Sequence, residues 1–338
     1  MLRLLSVRTC LAVGLLWGCT VKAQLTDATA IEFNNLINDA VFFTDLYITP
    51  ATDAAVYQAA SGWIVTPQKR KLWDYTIGLN VNSFIVPQSD RTFTVSDSDF
   101  SFFTIDGATS ATTPSALGDD QFVTLNGELN GQPIVLKSPE GIDRTTVVYP
   151  YVQGSVGLLY GTELVMKYAP KTTLKHVVYQ VYGAGLKHNL SQYFRNVEKH
   201  NVHFAALLAY SKEDISVGFL DVQTEAYGNL GLNSLNSVID TWQFQVNGSK
   251  VFKALELSAG FIVNTSDFEY AIDGKKGDIE QFIPLRQILN SRLYAIRKTK
   301  WNYIGEFSTR YNFKPFLVQA TFAFGKFVNS NLALQYEF

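Results

Sequence analysis

The chain has 338 residues, 47% of them hydrophobic, with 24 Phe and 17 Tyr, enough apolar surface for a large core. Its formal charge of −2 provides no basic stripe, which argues against nucleic acid as a partner. Both cysteines, Cys10 and Cys19, stand near the amino terminus, so the rest of the chain has neither a disulfide framework nor a cysteine metal site.

Residues 1–23 carry Arg3 and Arg8, then the apolar run Leu11–Trp17, then Val21-Lys22-Ala23, the order of a secretory signal. Cleavage is expected after Ala23, and it removes three basic residues, leaving 25 against 30 acidic ones, a formal charge of about −5. Leu16-Trp17-Gly18-Cys19 is the competing site, of the lipoprotein type. Residues 27–47 read helical, with Ile31, Leu36, Ala40 and Phe43 near a 3.6 period and Asp27 as a cap. Pro50 is expected to stop that run, with Asp53–Ala60 as a second short turn of helix. Residues 24–72 thus form a short helical segment, packed on a core or plugging a barrel at its periplasmic mouth or inside it.

From Trp73 the period becomes two, with Trp73, Tyr75, Ile77, Leu79 and Val81 on one face and Asp74, Thr76, Gly78, Asn80 and Asn82 on the other. A long polar insertion over 88–146 follows, with β-like pieces at Gln121–Leu125 and Pro133–Lys137. Further strand-length segments are expected near 147–159, 161–169, 175–188, 202–211, 214–224, 238–248, 252–263, 267–272, 290–298, 301–313, 315–325 and 330–338. After residue 23 no stretch has the roughly 18 uncharged apolar residues of a spanning helix, so a membrane crossing would require a closed barrel. The expectation is an all-β transmembrane antiparallel barrel of about 12–14 strands over 73–338, with Trp73, Trp301 and Phe313 in aromatic girdles. In the last segment, Leu332, Leu334, Tyr336 and Phe338 share one face, as the closing strand read by a barrel assembly machinery would.

Tyr47-Ile48-Thr49-Pro50, Gly62-Trp63, Asn80-Val81-Asn82, Val86-Pro87, Gly185-Leu186-Lys187-His188 and the Asn331–Phe338 ending together resemble an uncharacterised family of Bacteroidota outer-membrane barrels. That family is loosely similar to the long-chain fatty acid transporter barrels, and the resemblance implies 14 strands and an N-terminal plug. This chain is shorter than those transporters, so 12 strands fit as well as 14.

Asp74, Asn80, Glu163, Lys167, Glu306 and Arg310 fall on the faces expected to line the lumen. Two arrangements suit them. One is a gated channel, transporter or binder for small polar or amphiphilic molecules, lipid-like ones included. The other is a structural or surface-interaction barrel in which Glu163 with Lys167, and Glu306 with Arg310, close the lumen as a polar core. A membrane-embedded hydrolase built on His188-Asn189-Leu190-Ser191 is the remaining alternative, but residues adjacent in sequence seldom form a triad. His200-Asn201-Val202-His203 would put its two rings on opposite faces of a strand, unsuited to a metal. The chain is therefore expected to be no enzyme and to need no cofactor or metal. Its expected setting is the outer membrane of a Gram-negative bacterium, with membrane lipid, the assembly machinery and an unknown small molecule as partners.

Overall fold

In the computed structural model, which describes residues 27–218, 223–224, 228–231, 233–277, 280 and 283–338, ten alternating segments pair edge to edge into a closed barrel. They are β1 (Tyr75–Ile85), β2 (Thr146–Gly157), β3 (Thr162–Leu174), β4 (Val177–Asn189), β5 (Val202–Gly218), β6 (Ser234–Phe252), β7 (Leu255–Asp273), β8 (Lys298–Phe313), β9 (Phe316–Phe324) and β10 (Val328–Glu337). Each pairs antiparallel with the next, and β10 closes on β1 from Thr76↔Glu337 to Ile85↔Val328. The expected signal segment, with Cys10, Cys19 and Ala23, lies outside the described residues.

The count is ten, rather than the 12–14 expected, for two reasons. Residues 202–211 and 214–224 contribute to one strand, β5, and 252–263 with 267–272 form β7. Ser211-Lys212-Glu213-Asp214 reads as a polar break, yet it continues the alternation with Glu213 inside. The expected strand at 290–298 is mostly helix, α2 (Leu285–Ala295), with Leu285, Leu289 and Leu293 buried along one stripe.

Outward faces are apolar across the barrel's waist, as with Leu79 and Val81 on β1, Trp242, Phe244 and Val246 on β6, and Tyr303 and Phe307 on β8. A closed barrel with such a belt satisfies its backbone internally and is suited to lipid. Strands β5, β6 and β7 have 17, 19 and 19 residues, more than the roughly 9–11 that cross a bilayer. Their excess carries Lys212, Asp214, Asn236, Asp240, Asp267 and Glu269 outward in place of aromatics. It projects at one end of the barrel, the end that also bears the 86–145 insertion and α2. Most connections at the opposite end are short, as at 158–161, 253–254 and 314–315. Leu332, Leu334 and Phe338 are exposed, and Tyr336 packs edge-on against Phe316 and Phe338. Trp73, Trp301 and Phe313 are exposed as well.

The N-terminal helix α1 (Asp27–Ala60) is a single 34-residue helix, about 51 Å long at 1.5 Å per residue. Pro50 lies inside it and does not end it. The Leu46 carbonyl four residues back loses its amide partner, but Tyr47, Ile48, Ala51 and Thr52 around the proline are all buried and hold the helix in place. Its first half lies beyond the barrel, where Phe33, Leu36, Ile37, Val41 and Phe43 share a core with Val95, Phe100 and Phe103 of the insertion. The insertion is ordered there as two small sheets, Thr92–Ser96 with Ser110–Pro114, and Thr104–Ile105 with Thr124–Leu129 and Gln132–Lys137.

Candidate functional site

The lumen changes character along its length. At the long-loop end its wall is apolar, with Phe84, Val147, Tyr149, Val181, Ile215, Ile239 and Phe268 inside, packed against Ile48, Ala51, Ala54, Ala55 and Val56 of α1. A helix satisfies its own backbone, so a greasy wall costs it nothing, and alanines let ten strands close around it. At the short-turn end the chain inside is irregular, residues 61–72, and there the wall is mostly polar, with Val165, Leu207 and Ala209 clustered on Trp63 and Ile64. Irregular backbone in a dry interior needs partners from outside itself. The charges on Lys167, Lys187, Arg70 and Arg310 face those of Glu163, Glu256, Glu306 and Glu337, so this polar half is close to neutral among the described residues, while Glu213 sits further up, opposite Val181 and Ile239, and accepts the Ser211 and Thr241 hydroxyls.

Each expected lumen residue can now be placed. Lys167 donates to the carbonyls of Ala59 at 3.0 Å and Ser61 at 2.6 Å, putting a cation on the helix C-terminus, where the dipole favours one. Its ammonium also lies over the rings of Trp63 at 4.7 Å and Tyr151 at 4.8 Å. Glu306 accepts the Gly62 amide at 2.8 Å and the Gln245 amide at 3.1 Å. Asn247 reaches Glu306 across Gly260, whose missing side chain makes the room; a Cβ there would come within 2.4 Å of Asn247. Glu163 pairs with Lys187 and with Arg70, which also holds Glu337 at 2.6 Å. Arg310 pairs with Glu256 at 2.7 Å, and Glu256 accepts Thr66 at 2.8 Å and Gln68 at 3.0 Å. Asn80 is buried in the lumen wall. Asp74 departs from the expectation: it precedes β1, and its carboxylate accepts the Lys71 amide in the turn that leads there.

The expected pairs Glu163–Lys167 and Glu306–Arg310 do not form. Two residues four apart on one strand are about 13 Å apart, too far for contact. Register supplies the partners instead, because Glu163 sits opposite Lys187 and Glu256 opposite Arg310. Lys187, Arg70, Glu256 and Glu213 were not picked out from the sequence. Alternation alone could have found Lys187 and Glu213, while Arg70 lies in an irregular segment without any period.

Wall side chains also grip the internal backbone. Asn329 donates to the carbonyl of Tyr57, Asn82 to Gln58, Gln243 to Ala60, Gln153 to Trp63 and Asn189 to Pro67, at 2.6–3.2 Å. Gly62, at φ +73, turns the chain out of the helix; a Cβ there would meet the Tyr151 hydroxyl at 2.8 Å. At the opposite mouth Asp45 pairs with Lys298, and Asp53 with Lys300 and Lys326. Burial would lower the Lys326 ammonium, but Asp53 and Asp90 outweigh it and hold the group above its ordinary value. A cavity of about 40 Å³ remains between Ala51 and Ala55 of α1 and Tyr149, Tyr179 and Ile215 of the wall, space for a few waters and too little for an amphiphile.

No catalytic arrangement is formed by the residues considered for one. His188 bonds Thr162 and Tyr193, both at 3.0 Å, while the Ser191 hydroxyl bonds the backbone of Phe204. His200 bonds the Asn196 carbonyl at 2.7 Å. No group of three or more His, Cys, Asp or Glu side chains is placed to hold a metal among the described residues.

Over residues 1–338 the chain matches the family described as "Family of unknown function (DUF6588)". No curated protein matches it. Among solved structures it is similar to the translocator domain of the autotransporter NalP from Neisseria meningitidis, at 9% identity and a TM-score of 0.37, over 87% of this chain and 99% of that one. It is similar to the outer membrane protease OmpT from Escherichia coli at 10% identity and 0.29, over 83% and 100%. Similarity to OmpF from Salmonella typhi is at 11% identity and 0.25, over 81% and 99%.

Proposed function

This chain belongs to the family of unknown function DUF6588, and from its filled lumen we propose a sealed barrel of the Gram-negative outer membrane that presents a folded cap at the cell surface. In such barrels short turns face the periplasm and long loops face outward. That rule puts the 86–145 insertion, α2 and the first half of α1 outside, and Tyr75 with Glu337 at the periplasmic end. The observation that carries the reading is the matching of internal backbone to wall, from Asn329 on the Tyr57 carbonyl to Asn189 on the Pro67 carbonyl. A gated passage would have to break these bonds together with the buried Arg70–Glu163 pair and the bonds of Thr66 and Gln68 to Glu256. The geometry therefore favours a surface-interaction barrel over a channel. Single-channel recording in planar bilayers tests this: the full protein should be silent, and a version lacking residues 24–62 should conduct. Steady open currents from the full protein would overturn the sealed reading.

A further inference from the structure

We infer that the short-turn half of the lumen is a binding site for polypeptide backbone, through which the chain's own amino-terminal segment runs from the cell surface to the periplasmic end. The names of the two sides rest on the orientation proposed above; the direction of the run rests on contacts alone. Thr29 and Glu32 bond Asn130 of the insertion, and Asn34 bonds Arg292 of α2. Asp39 accepts the successive amides of Ser101, Phe102 and Phe103, a carboxylate seated in a backbone concavity. Lower down, Asp45 meets Lys298 at the start of β8, Tyr57 meets Asn329, and Ala59 meets Lys167 in the barrel's middle. Finally Thr66 meets Glu256, and Arg70 meets Glu163 and Glu337 beside the start of β1. The contacts descend in sequence order without a reversal.

The chemistry of the grip identifies the ligand class. Lys167, Lys187, Asn189, Gln153 and Gln243 all aim donors at main-chain carbonyls between Ala59 and Gln68. Every peptide has such carbonyls, so these donors do not depend on the side chains presented to them. A wall of this kind suits a chain drawn along it during assembly. The helix then locks the position by seating its alanines in the apolar half.

Three variants, each with one added cysteine, test the run: Ala30→Cys on α1, Asp106→Cys on the insertion and Lys253→Cys in the β6–β7 turn, all exposed positions. Intact cells would be treated with a membrane-impermeant maleimide, with the parent chain, whose cysteines are Cys10 and Cys19, as the blank. Ala30→Cys and Asp106→Cys should both gain label in intact cells, and Lys253→Cys only after the outer membrane is permeabilised. Label at position 106 without label at position 30 would overturn the run while leaving the orientation intact. Label at position 253 without label at position 106 would overturn the orientation, and the surface location of α1 with it.

Discussion

Glu163 and Lys187 face each other across β3 and β4, both almost wholly buried, with Arg70 against the same carboxylate. Taking one charge from such a pair leaves the other without water or partner, which costs about 3–5 kcal/mol, whereas removing both costs far less. Glu163→Gln and Lys187→Met should therefore each lower the stability of the lipid- or detergent-held barrel by about 3 kcal/mol, and the double variant should lose clearly less than their sum. Urea titration read by the gel mobility of folded and unfolded forms measures all three. Additive losses would mean the two residues are not coupled. Glu163 was visible in the sequence as an inward candidate and Lys187 was not picked out, and their pairing could not be read at all, because alternation gives the face of a side chain and only register gives its opposite number.

At the scale of elements, the period of two revealed the strands and the barrel, since inside and outside differ at nearly every position. It failed where both faces turn polar beyond the apolar belt, so β5 and β7 each read as two pieces. It failed again at 290–298, where Leu285, Leu289 and Leu293 follow a helical stripe that begins before the segment read as strand. Pro50 misled because local rules ignore what surrounds a helix, and the barrel wall and the insertion hold this one on both sides of the proline. The same enclosure makes α1 intolerant of bulk. Ala55 and Ala59 are buried against the wall, and a larger side chain at either must displace its neighbours at about 1–3 kcal/mol or more. Ala59→Trp should expel the lower helix and give conductance in planar bilayers where the parent is silent, while Ala30→Trp on the exposed face should stay silent. Silence from Ala59→Trp with unchanged stability would show that the lumen has slack that the packing denies.

Over the whole molecule, barrel and cap have different sources of stability, and that separates their fates. The barrel is closed by its own ladders, with β1 and β2 paired from Tyr75↔Val156 to Ile85↔Thr146 directly beneath the insertion. Beyond the Val86–Thr145 bond at its base, the insertion adds nothing to that ladder; it covers the first half of α1 with Val95, Phe100, Phe103 and Leu125 and tethers it through Asp39. Replacing residues 88–143 by a short Gly/Ser linker should therefore leave a barrel whose mobility still shifts on boiling. The upper helix would lose its apolar cover, and an isolated amphipathic stretch of that length is marginal in water. Protease added to intact cells should then cut between residues 28 and 45 in the linker variant and spare the parent there. The lower half of α1, gripped by Asn329, Asn82, Lys167 and Gln243, should stay protected in both. Cleavage in the parent to the same extent would mean the cap does not shelter the helix, and loss of the boil-shifted form in the variant would mean that barrel and cap fold as one unit.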